Sequence, residues 1–214
     1  MAITESRPIS AAEFVIGAFI VIGHNVFHVV PNEVILLALI GSVSLRWRGG
    51  WKGFGFSRPD SWRTTIALAI GVAVVRQLIG SYVDEPLGNL IWNRAPDMSR
   101  FNDLKHNWLG CAEGLAVVWT FAAFGEELVY RRYLWLRCKE ALGGTAGAAW
   151  VAAVAASILF GFGHYYKGPA GVFDSGVAGM LLAASYLVTR NFWVPILAHG
   201  FIDTIGLVAA FLGW

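Results

Sequence analysis

The stretch FGEELVYRRYLW, residues 124–135, sets two adjacent glutamates and two adjacent arginines within some of the most apolar sequence of the chain. An ionisable group at the centre of a bilayer costs roughly 2.5 to 3.5 kcal/mol on insertion scales, so Glu126, Glu127 and Arg131 need partners or a task that offsets this cost. The composition says why lipid is the solvent to consider. Hydrophobic residues make up 57% of the 214, and charged residues only 14%, where a soluble domain carries about 25%. Mean hydropathy is +0.59. These values predict an integral membrane protein of all-α class, a polytopic membrane helix bundle, because a helix satisfies its own backbone hydrogen bonds in hydrocarbon.

Working outward from that stretch, apolar runs occupy about 11–30, 33–46, 62–83, 109–130, 146–163, 172–189 and 194–213. Most approach the ~20 residues a spanning helix needs, which predicts about seven transmembrane helices, with six to eight allowed by the short run at 33–46. No repeat or low-complexity linker divides the chain, so residues 1–214 read as a single integral membrane domain with its chemistry in 120–204. The ten Trp suit headgroup-level belts. A net charge of +2 without a run of like charge argues against a nucleic-acid partner. Cys111 and Cys138 lack C-x-x-C spacing and read as free thiols. The segment MAITESRPIS has no A-x-A cleavage signal, so the first hydrophobic helix is expected to be retained.

Three motifs share helical i, i+4 spacing, which puts their ends on one helix face about 6 Å apart. They are Glu126-Glu127-x-x-x-Arg131, Phe160-x-x-x-His164 and His199-x-x-x-Asp203. Any one alone reads equally well as a buried ion pair or a satisfied polar side chain. Three in separate apolar helices of one small protein point to a functional site. Gly143-Gly144 offers a turn, and Glu126 lies nineteen positions before residue 145 while His164 lies nineteen after it. In an antiparallel helix pair that places them at equal depth. His199 does not follow from this arithmetic unless the segment YYKGPAG re-enters the membrane or the sixth helix is tilted or broken.

The residue types suggest hydrolysis. Peptide hydrolysis needs an activated water and donors for the developing oxyanion, and a carboxyl group in an apolar bundle becomes a stronger base through desolvation. The spacing pairs Glu127 with Arg131 as the structural member. That leaves Glu126 as the candidate general base, with His164 orienting water or carrying a proton.

In the order E-E-x-x-x-R, F-x-x-x-H, H-x-x-x-(N or D), the chain resembles the CPBP family (CAAX protease and bacteriocin-processing, or Abi) of intramembrane proteases. The resemblance covers residues 120–204, and the preceding helices match it only as generic apolar segments. It implies an intramembrane endopeptidase that hydrolyses a peptide bond of a membrane-embedded or lipid-anchored protein or peptide. His199 and Asp203 would bind the tetrahedral oxyanion or help to place the water, with Arg131 and Phe160 as structural support. Asp203 departs from the family's usual Asn. The expected home is the cell membrane of a bacterium or archaeon.

Two alternatives stand beside this reading. Glu126, His164 and His199 are a carboxylate and two imidazoles, a set zinc accepts in hydrolases; no H-E-x-x-H is present, and metal-free chemistry is favoured because a zinc-bound Glu126 would not be a free base. The same intramembrane groups would also suit a proton- or ion-coupled transporter, although no inverted repeat is visible. Elsewhere, His24 and His28 read as a helix end rather than a metal pair, and Arg76 as buried against a carboxylate or snorkelling. Asp174 with Ser175 reads as an N-cap, and Gly176, Gly179 and Ala183 as a stripe for close helix contact.

Overall fold

The computed structural model describes residues 7–213, so the leader reading of the first six residues lies outside the described residues. Each apolar run becomes a helical segment. These are α1 (Arg7–Asn25), α2 (Glu33–Gly49), α3 (Trp62–Trp92), α4 (Trp108–Ala141), α5 (Ala146–Phe162), α6 (Gly168–Thr189) and α7 (Trp193–Leu212). Five helical segments (α1, α3, α4, the stretch Tyr165–Thr189 that contains α6, and α7) are long and apolar enough to cross a membrane, and α5 is a shorter apolar helix. The described chain is an all-helical bundle, as its composition predicts.

Local sequence sets the helix starts. Side-chain oxygens of Asn32, Ser61, Asn107 and Thr145 accept hydrogen bonds from the backbone N–H groups of Ile35, Thr64, Gly110 and Ala148 at the starts of α2 to α5. The α4–α5 turn needs Gly143 and Gly144, whose φ values of 94° and 76° lie in the left-handed region. Expectation and structure part at α6. This helix starts at Gly168, with Pro169 in its first turn, so Asp174 and Ser175 lie inside it and form no N-cap. Asp174 instead pairs with Arg76 across the bundle, and Arg76 also donates to Asp84 at 2.9 Å. Of the two readings of Arg76, burial against a carboxylate is the observed one. The end of α1 also takes its structural reading: His24 contacts Val30 O at 2.9 Å and Glu33 Oε2 at 3.2 Å, and His28 sits at φ 55°.

α4 extends well past the apolar run that marks it. Its charged end is compensated by a buried network in which Arg137 meets Glu13 and Glu140, each at 2.6 Å, and Arg48 approaches the same two carboxylates at 3.3 and 3.4 Å. This joins α1, α2 and α4. From Val118 to Leu134 the helix is π-helical, long for a conformation generally confined to single turns and frequent at functional sites. The whole E-E-x-x-x-R motif falls within it.

The small-residue stripe does pack closely. A Cβ on Gly179 would stand 3.1 Å from Phe160, and one on Gly161 only 2.5 Å from Val172 O. Since backbone cannot yield as a side chain can, Gly161→Ala should force α5 and α6 apart and cost about 1 to 3 kcal/mol, read as a lower melting temperature in detergent. Unchanged melting would show that the two helices are not held at this contact.

Candidate functional site

The first motif lies on the π-helical part of α4, the second at the end of α5 and the third on α7. Glu127 is fully buried and is the hub. Its Oε1 lies 2.7 Å from His199 Nδ1 and 3.1 Å from Arg131 Nη1. Arg131 is held further by Gly179 O at 3.3 Å, and its guanidinium stands 4.1 Å from the centre of the Phe160 ring. Stacking on an aromatic face compensates a desolvated cation where no second carboxylate is at hand. Phe160 therefore bridges the motifs, with Tyr130 edge-on at 5.2 Å and His199 at 5.7 Å.

The two glutamates differ in their contacts. Glu127 is engaged twice through Oε1, whereas no ion pair holds Glu126; Oε2 of each is buried with no hydrogen-bond partner among the described residues. His199, Asp203 and Arg131 all act electrostatically on the Glu126 carboxyl. His164 is fixed through Nδ1, 3.0 Å from Phe160 O. A carbonyl accepts, so Nδ1 carries the proton and donates, and Nε2 is left to face the site. His199 Nε2 lies 3.5 Å from Asp203 Oδ2.

His164 and Asp203 line a cavity of about 350 Å³, together with Tyr166, Lys167, Arg76 and Asp174. Glu127 and His199 sit behind that wall, buried in the bundle. His199, the residue that turn arithmetic could not place, reaches Glu127 because α7 packs along α3 and the π-helical part of α4 more than along α6. Among the described residues no group of three or more His, Cys, Asp or Glu is placed to hold a metal, and both ring nitrogens of His199 already face carboxylate oxygens. As placed, His199 offers no free ring nitrogen to a metal.

Two polar groups at the site escape a motif-based reading. Lys167 follows the α5 end and lines the cavity. Tyr130 is buried within the first motif itself, and its place one helical turn after Glu126 is the signal that could have drawn attention to it.

The segment that carries these motifs matches a known family. Residues 108–205 match the family of type II CAAX prenyl endopeptidase Rce1-like proteins. This Rce1-like segment contains all three motifs and bears out the resemblance to the CPBP proteases. With five helical segments long and apolar enough to cross a membrane, the match supports an integral membrane protein whose residues 108–205 are similar to a CAAX-type peptidase. No curated protein and no solved structure matches the chain.

Proposed function

We propose that the chain is an intramembrane endopeptidase of the CAAX-protease type in which Glu126 activates the attacking water. The observation that carries this reading is the asymmetry of the glutamates: Oε2 of each is buried without a partner, but Glu127 is held through Oε1 by Arg131 and His199, whereas no ion pair holds Glu126 among the described residues. In the proposed reaction Glu126 takes a proton from water as the oxygen adds to the peptide carbonyl, giving a tetrahedral oxyanion. The carboxyl group then returns the proton to the leaving nitrogen as the C–N bond breaks. His164, its Nδ1 proton held by Phe160 O, presents Nε2 to the cavity and orients the water. His199 faces a carboxylate at each nitrogen, an arrangement suited to a doubly protonated ring that donates from both. Its Nε2–H, only loosely engaged by Asp203 at 3.5 Å, is the proposed oxyanion donor once substrate draws it from that carboxylate. In this role the Asp found at 203 serves as the Asn of relatives does not, by favouring charge on the ring. The substrate is a membrane-embedded or lipid-anchored protein or peptide, and the proposed location is the cell membrane of a bacterium or archaeon.

The purified protein in liposomes, given a membrane-anchored fluorogenic peptide, tests this reading. Cleavage is expected, and it should survive exhaustive treatment with a strong chelator. Loss on chelation with recovery at about one equivalent of zinc would assign the water to a metal and move the base role to Glu127. Proton flux without cleavage would instead favour a transporter.

A further inference from the structure

Tyr130 is 1% exposed, and its hydroxyl has no hydrogen-bond partner among the described residues. A buried hydroxyl left unpaired costs about 1 to 3 kcal/mol, and a Phe at this position would carry the same ring contact with Phe160 without that cost. The oxygen therefore calls for a use. Its position supplies one. Tyr130 follows Glu126 by four residues on the same helix, and Glu126 Oε2, like Glu127 Oε2, is a buried acceptor without a partner among the described residues. The hydroxyl points to the end of α5, where a Cβ on Gly163 would lie 2.8 Å from it, next to His164. The carboxylates that act on it electrostatically are Glu33 and Glu126, not Glu127; Glu33 is occupied by His24 at 3.2 Å, so of these two Glu126 is the one whose oxygen still needs a neighbour.

We infer that Tyr130 is a positioning residue for hydrolysis, its hydroxyl holding the water that Glu126 deprotonates. This rests on the peptidase reading above. Water satisfies both orphaned groups at once: it donates one hydrogen to Glu126 Oε2 and accepts the phenolic hydrogen through a lone pair, with the second lone pair left for the carbonyl carbon. The ring is fixed by Phe160 and the absence of a side chain at 163 gives the hydroxyl its space. The arrangement orients the water without consuming the Tyr130 proton, so the hydroxyl ends each turnover as it began.

Tyr130→Phe tests it, compared with wild type and Glu126→Gln in the liposome peptide assay and by thermal melting. The expected result is kcat lower by about 10- to 100-fold with KM within about twofold, and melting equal to or above wild type because an unpaired polar atom has gone. In the Glu126→Gln background the second change should add little, since both act on one water. Turnover by Tyr130→Phe equal to wild type overturns the inference, as does a loss confined to KM. Cleavage by wild type that Glu126→Gln abolishes, alongside an unaffected Tyr130→Phe, removes the Tyr130 role and leaves the peptidase reading standing. Folded wild type that cleaves nothing removes both.

Discussion

Replacing Glu126 with Gln is expected to lower turnover by about 10²- to 10⁴-fold, the range a general base contributes, with no loss of folded protein. Gln keeps the length and planarity of the side chain and still fills the space beside His199, but its carboxamide cannot accept the water's proton. Stability should hold or rise slightly. The buried Oε2 has no hydrogen-bond partner in the described chain, so the substitution removes a poorly solvated ionisable group and breaks no ion pair. The comparison with Glu127→Gln gives the result its meaning. That change weakens a hub that already holds Arg131 and His199, so it should lower melting temperature together with rate. A Glu126→Gln protein that retains a tenth or more of wild-type activity, beside a folded but inactive Glu127→Gln, would show that the two carboxylates have the reverse roles.

Much of the fold was legible because bilayer physics makes few demands and makes them strongly. Continuous apolar runs and the Gly143-Gly144 turn are local signals, and they mark helices whose extents the structure largely reproduces. The i, i+4 motifs were legible for the same reason, since a helix fixes which residues share a face. The Glu127–Arg131 pair is such a case. What could not be read depends on how helices cross. His199 meets Glu127 across 72 positions only because α7 lies against the middle of α4, and nothing in its own sequence encodes that angle. Asp174 was misread because its partner Arg76 lies 98 positions away; without that partner an Asp beside a Ser looks like a cap. The apolar run at 109–130 ends well before the helix does, because Glu13 and Arg48 from other helices pair with Arg137 and Glu140 and let the helix continue to Ala141.

Removal of the Glu127 side chain altogether has the largest expected effect on stability. In Glu127→Ala the Arg131 guanidinium, 2% exposed, loses the carboxylate oxygen at 3.1 Å and retains the Phe160 face and one backbone carbonyl. His199 loses its 2.7 Å acceptor in the same step. A buried charge stripped of its partner typically costs about 3 to 5 kcal/mol, so a large drop in melting temperature in detergent is expected, with activity lost because His199 is no longer oriented. The ion pair is responsible only if removing the stranded charge helps. Arg131→Ala in the Glu127→Ala background should therefore cost much less than it does alone, since the second substitution relieves the uncompensated cation that the first creates. Full additivity of the two losses would mean that Glu127 and Arg131 support the fold independently. The stabilising role would then fall to the contact of Glu127 with His199 and to the stacking of Arg131 on Phe160, which are separable by substituting His199 and Phe160 in turn.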